Sequence, residues 1–200
     1  LSVLNNSNTP QSSIIDLETS LDRLISFFVK YPHVFLTEDD VRCHLVAELL
    51  RNSKFSQIVD TEDSEKSINI HSEVRWYGES RNLRYRSDVV VLDTSDLRVT
   101  DTTFKLPSKG FGFNNFFAII EIKLRRNIKK SDSTFINEIN ADFEKLKKIH
   151  FETNTYNKHK ANYYLLCFDK GVNLCRRLPL DSQNPNIKIM YASMSPKIAP

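Results

Sequence analysis

The sequence predicts a mixed α/β layered domain built around one central sheet. Three observations carry that expectation. The runs Val89–Leu92 in YRSDVVVLD (85–93) and Phe116–Ile120 in NFFAIIEIKL (115–124) are continuously apolar rather than alternating, as in sheets covered on both faces. Segments with apolar residues at three- and four-residue steps stand before and after these runs and supply the covering helices. The chain has 200 residues, 40% of them hydrophobic, enough for one sizeable core without staples.

Residues 1–12, rich in Ser and Asn, read as a loose arm. Ile14, Leu17, Leu21, Leu24, Ile25 and Phe28 give an amphipathic helix from about Ser13 to Lys30, closed by Pro32. Thr37 reads as an N-cap, because Glu38, Asp39 and Asp40 follow it, where the helix dipole favours negative charge. Val41, Leu45 and Leu49, with Val46 and Leu50, form the stripe of this second helix, to about Arg51. The acidic stretch 60–67 reads as a loop. Ile68–Tyr77 alternates imperfectly and ends at Gly78, as a strand before a turn does. Two further strands are Tyr85–Asp93 and Asn115–Leu124. Phe135, Ile139, Phe143, Leu146 and Ile149 then restore helical spacing over Ser133–His150. YYLLCF (163–168) and IKIMY (187–191) are the last strands, with Tyr163, Tyr164 and Phe168 as core. The order is α-α-β-β-β-α-β-β.

Composition excludes several function classes. Only four glycines occur and none builds GxGxxG or GxxxxGK, so dinucleotide and P-loop sites are not expected. Cys43, Cys167 and Cys175 form no CxxC and cannot all pair, which points to a reducing cytoplasmic setting rather than a disulfide scaffold. His33, His44, His71, His150 and His159 lack the spacing of a metalloprotease or a zinc site and read as structural or surface groups. No apolar run is long enough to span a membrane, and LSVLNNSNTP lacks the basic-then-apolar pattern of a secretory signal. The net charge of +3 says little by itself. Its distribution says more: Lys123, Arg125, Arg126, Lys129 and Lys130 crowd one decade, and Arg75, Arg81, Arg84 and Arg86 crowd another.

The second and third strands read as an antiparallel hairpin. Pairing Asp88 with Glu121 sets Val89 against Ile120 and Asp93 against Phe116, and overlays the two apolar runs almost completely. Residues directly opposite share a face, and side chains repeat every two residues, so Asp88, Glu121 and Lys123 converge at the open end of the hairpin. Two close carboxylates repel unless a cation neutralises them. Mg²⁺ or Mn²⁺ does this while keeping several waters, lowers the pKa of a bound water and stabilises charge on a phosphate oxygen. Lys123 would position or deprotonate the attacking water, or neutralise charge in the transition state. Glu121-Ile122-Lys123 is the sole ExK in the chain, although the eleven glutamates and sixteen lysines supply about one such spacing by chance. The alternative reading is a plain Glu–Lys ion pair at a strand end.

An acid before VVVLD, then AIIEIK at 118–123, between a preceding helix and a following helix and strand, resembles the PD-(D/E)xK nuclease superfamily. That group includes restriction endonucleases and Holliday-junction resolvases. The resemblance covers roughly residues 37–192 and implies a restriction endonuclease-like αβββαβ core, a central mixed sheet flanked by helices. Residues 1–36 are then an N-terminal arm and extra helix packed on the core, and 37–200 the nuclease-like domain. It implies Asp88, Glu121 and the Ile122 backbone carbonyl as ligands of Mg²⁺ (or Mn²⁺), and Lys123 as the catalytic lysine of DNA phosphodiester hydrolysis. Ser87 stands where the family's name expects proline.

Several residues are auxiliary candidates. The family often places a glutamate on its first core helix, and Glu48 matches best. Glu73 on the first strand is the other acid, with Arg75 on its face as a simple partner. Asp142 and Lys145, at helical i, i+3 spacing, read most simply as a surface pair; D-x-x-K-L segments also follow ExK in members of the resembled superfamily, which implies a supporting role as the alternative. Arg75, Arg84, Arg86, Arg125 and Arg126 are candidate contacts to nucleic acid. Trp76, Tyr77 and Tyr85 lie among them, with core packing favoured for Trp76 over base stacking. Residues 94–115 form a long connection whose KLPSKGFGFNN (105–115) suits either a DNA-touching flap or a passive excursion. Double-strand cutting needs two active sites, which points to a homodimer. The alternative function is a non-catalytic nucleic-acid-binding or protein-interaction module on the same fold.

Overall fold

A strand with the sequence VVVL has no polar position to turn toward water, so both of its faces need a cover. The computed structural model, which describes residues 10–77, 83–100, 111–126, 129–171 and 186–194, supplies one on each side. Helix α1 (Pro10–Lys30) and helix α2 (Glu38–Leu50) lie on one face of the sheet, and helix α4 (Asp132–Thr153) lies on the other. A one-turn helix, α3 (Ser53–Ser56), and a two-residue ladder of β1 (Val59–Asp60) with β2 (Lys66–Ser67) lead into the sheet. That ladder pairs Asp60 with Lys66 inside a stretch expected to be loop. Likewise α1 starts at Pro10, so residues 10–12, expected in a loose arm, are helical.

The sheet has the order β3-β4-β5-β6-β7, with β3 (Ile70–Tyr77), β4 (Leu83–Leu92), β5 (Phe116–Arg125), β6 (Asn162–Asp169) and β7 (Ile187–Ser193). β3, β4 and β5 form an antiparallel meander, and β5, β6 and β7 run parallel, with α4 in the β5–β6 crossover. The result is a mixed α/β fold with a five-stranded mixed sheet between helical layers. Val89, Val91, Ile120 and Ile122 pack on the α1–α2 side, together with Leu17, Leu21, Phe28, Leu45 and Leu49. Val90, Leu92 and Ile119 pack on the α4 side, with Phe135, Ile139 and Leu146. Each such side chain contributes about 1.5–3 kcal/mol on burial, so the two covers select the register. Tyr163, Tyr164 and Phe168 are all buried.

The β4–β5 register pairs Val89 with Ile120, Val90 with Ile119 and Val91 with Ala118, as overlay of the two apolar runs requires. A bulge between Val91 and Leu92 then brings Leu92, not Asp93, opposite Phe116. Asp93 caps a short 3₁₀ turn (Thr94–Asp96) and pairs with His159 at 2.6 Å, at the end of β4 away from Asp88. Residues 101–110 lie outside the described part, so Lys105 and Lys109 of the expected flap do too, as do Cys175 and the Trp76 side chain. Arg98 and Gly112 bridge the base of this connection.

Arg125 is not a surface group for nucleic acid. Its side chain is 2% exposed and grips the fully buried Asp169 with two hydrogen bonds of 2.6 Å, while Nη1 donates to Asp132 at 2.6 Å. A Cβ at position 171 would stand 2.5 Å from Arg125 Nη2, so glycine is required beside it. Removing one partner of such a pair strands a charge in the core. Asp169→Ala is expected to lower stability by about 3–5 kcal/mol in urea denaturation; a change within the range of ordinary surface substitutions would show that the pair is hydrated.

Candidate metal centre where two strands part

The β4–β5 ladder ends at Val89 and Ile120. The next Cα pair would be Asp88 and Glu121, but the Asp88 carboxylate takes the place of a strand partner. Its Oδ2 accepts from the Ile122 amide at 2.7 Å. A strand residue's N–H and C=O point to the same edge, so the Ile122 carbonyl is also directed into this fork. Glu121 and Lys123 share the face of Ile119 on the α4 side, where Lys145 and Asp142 meet them, and Asp88 is near enough to act on the Glu121 charge. Asp88 Oδ1 is 3.5 Å from Nη1 of Arg42, which reaches in from α2.

Glu121 is 2% exposed because β5 is a central strand under α4. Lys145 of α4 donates to its Oε2 at 2.6 Å, and Oε1 is buried with no hydrogen-bond partner. Burial pushes this carboxyl up to about 8; Lys145 pulls it down in part, and Asp88 and Asp142 push it further up. Lys123 lies between Asp142, at 2.9 Å, and Glu38, at 3.6 Å. Burial opposes its charge, but Asp142 and Glu38 outweigh that and hold its pKa above the usual lysine value. Glu38 is the first residue of α2, and its Oε1 also accepts from the Leu124 amide at 3.1 Å.

Glu73 stands on β3 between Ser72, paired with Val89, and Val74, paired with Ser87. Its φ of 55° is left-handed, uncommon for a non-glycine residue, and it breaks the two-residue alternation. Its carboxylate pairs with Arg42 and with Arg86, the latter at 3.0 Å, and Arg86 is the cross-strand neighbour of Arg75.

Glu48 does not reach the site. Although buried, it pairs with Arg23 of α1 at 3.2 Å and Arg51 at 2.7 Å, ten residues or about 15 Å along α2 from Glu38. The acids that α2 brings to the sheet end are Glu38 and Asp39, the latter bound to Arg42. Asp142 and Lys145 do pair, at 3.5 Å, but both also bind residues of the motif, so they are not a mere surface pair. Their signal was present in the sequence: Asp142 is three residues past Ile139 and Lys145 four before Ile149, two charges set within the apolar stripe's own spacing.

These ion pairs join into two networks among the described residues. Glu38, Asp142 and Glu121 share Lys123 and Lys145; Asp39, Glu73 and Asp88 share Arg42 and Arg86. With all members ionised, each network is one positive charge short, and the two adjoin at Asp88 and Glu121. The buried orphan Oε1 is unsatisfied whether or not the carboxyl holds a proton. Two carboxylates and one carbonyl are the oxygen donors a hard divalent cation takes. Among the described residues, no group of three or more His, Cys, Asp or Glu side chains forms a ready-made cage. No protein-family model, no curated protein and no solved structure matches the chain.

The raised Glu121 carboxyl has a consequence for stability. Between its ordinary value of 4.5 and about 8, the folded chain holds a proton that the unfolded chain has lost. Stability of the metal-free protein therefore falls as pH rises through that window, and the loss is complete above it. Urea melts in EDTA are expected to show this decline, and Glu121→Gln to flatten it; an identical slope in both proteins would mean a hydrated carboxylate.

Proposed function

We propose that the chain is a metal-dependent nuclease that hydrolyses phosphodiester bonds of nucleic acid, DNA being the expected substrate, on a restriction endonuclease-like core. The observation that carries this reading is the buried, unpartnered Oε1 of Glu121 beside Asp88, with Lys145 as the donor on its other oxygen. Asp88, Glu121 and the Ile122 carbonyl would hold Mg²⁺ or Mn²⁺. When bound, the ion supplies Lewis acidity and a coordinated water of lowered pKa. Lys123, kept as an ammonium by Asp142 and Glu38, donates hydrogen bonds to negative oxygen and does not act as a base at neutral pH.

The substrate backbone has a track to follow. Arg84 and Arg86 stand a two-residue step of about 7 Å apart on β4, with side chains 51% and 66% exposed. Arg75 faces Arg86 directly across the ladder. Arg84 and Arg86 are paired with Glu152 and Glu73 through largely exposed guanidinium groups, which can exchange these partners for phosphate. Arg126 is exposed just past the end of β5, and no helix among the described residues is long and apolar enough to cross a membrane. A cytoplasmic setting and a homodimer, for double-strand cutting, belong to the same proposal.

Plasmid DNA incubated with Mg²⁺ is expected to be cut by the wild type, with Lys123→Ala slower by about a hundredfold to a thousandfold and Asp88→Asn inactive. Equal cleavage by wild type and Lys123→Ala, or none by wild type on DNA or RNA, would overturn the enzyme. In a separate binding assay, Arg84→Ala with Arg86→Ala is expected to lower DNA affinity and reduce the log–log salt slope by about two. Salt-sensitive DNA binding with no dependence on metal would favour the non-catalytic module instead.

A further inference from the structure

The lysine on Glu121 is not the lysine of the ExK motif. Lys145 comes from α4, 24 residues further along, and its Nζ lies 2.6 Å from Glu121 Oε2, on the side chain proposed as a metal ligand. It also has other acceptors within reach: the Arg86 carbonyl at 3.2 Å and Asp142 Oδ1 at 3.5 Å. Its side chain is 25% exposed, against 2% for that of Glu121, so it is the mobile member of the pair. Long flexible side chains shift between such acceptors without backbone movement.

We propose that Lys145 is the resident counter-cation of Glu121, standing on the carboxylate in the metal-free protein and withdrawing onto Asp142 and the Arg86 carbonyl when a divalent ion binds. This inference rests on the proposed metal centre and adds its regulation. A buried carboxylate without a counter-ion is costly, so a structure that must exist before the ion arrives needs a substitute positive charge. Lys145 provides it on one oxygen and leaves the other open. The same amine then opposes the ion, because a divalent charge is repelled by a neighbouring ammonium about twice as strongly as a single proton is. Withdrawal onto Asp142 keeps the lysine paired. It also ties the ion's arrival to Lys123, since Asp142 already holds that ammonium at 2.9 Å. Lys145 is thus a positioning residue, acting through Glu121 and Asp142.

The test is Mn²⁺ binding by calorimetry to wild type, Lys145→Met and Lys145→Arg, with crystal structures of the wild type with and without Mn²⁺. Lys145→Met removes the competing charge and is expected to bind Mn²⁺ about tenfold more tightly, while Lys145→Arg stays near wild type. The structures are expected to show Nζ on Glu121 without the ion and on Asp142 with it. Equal or weaker binding by Lys145→Met, or an ion bound while Nζ remains on Glu121 Oε2, would overturn the role of Lys145 and leave the metal centre standing. No Mn²⁺ binding by wild type or either variant would overturn the metal centre, and this inference with it. Should Lys145→Met fold poorly, the paired wild-type structures decide the question alone.

Discussion

The arrangement at the sheet end depends on one substitution of partners: the Asp88 carboxylate takes the Ile122 amide at the point where β4 leaves β5. A buried strand that loses its neighbour leaves backbone donors without partners, and such groups are costly in a core. Asp88 repairs one of them with a side chain, and a side chain brings a charge. The strands can then separate while β4 stays paired to β3 and β5 stays paired to β6. A wedge opens between them, roofed by α4 and closed at its end by the first turn of α2, from which Glu38 and Arg42 reach in.

The same strand shows what a completed buried charge looks like. Glu121 and Arg125 lie four residues apart on one face of β5, and both are almost wholly buried. Arg125 meets Asp169 through two parallel hydrogen bonds and Asp132 through a third. That geometry is the one in which attraction and hydrogen bonding repay desolvation. Glu121 receives a single donor on one oxygen and none on the other. A core that satisfies one charge fully and its neighbour by half is not limited by the chemistry available. The contrast separates a group that holds the fold from one that awaits a partner.

Much of this was legible because strands carry a two-residue period and apolar runs fix register. Val89 against Ile120, and Glu121 and Lys123 on the face that α4 covers, follow from those two facts. What was not legible depends on contacts far apart in sequence. The periodicity of α2 gives its buried face, but not which end of the helix meets the fork, so Glu48 drew attention that belonged to Glu38. Arg125 looked like surface charge because Asp169, 44 residues later, is an unremarkable end to YYLLCFD. Glu73 takes a left-handed backbone that no residue type announces, and a bulge after Val91 moved Asp93 out of line with Phe116.

Placing cations from both helical layers on the two carboxylates has a further consequence. Arg42 comes from α2 on one side of the sheet and Lys145 from α4 on the other, each meeting one acid of the proposed pair. The separation of Asp88 and Glu121 is therefore set by the packing of three layers, not by the hairpin alone. Core packing is stiff, since loss or gain of even one methylene is felt. A cation site built this way is held to its dimensions by Leu45, Ile120 and Leu146 as much as by its ligands. Flexibility is left to the amine of Lys145, which has the Arg86 carbonyl and Asp142 as alternative acceptors at hand. Rigid acids with a movable counter-charge form a stable protein before the ion arrives, and the acids need not move when it does.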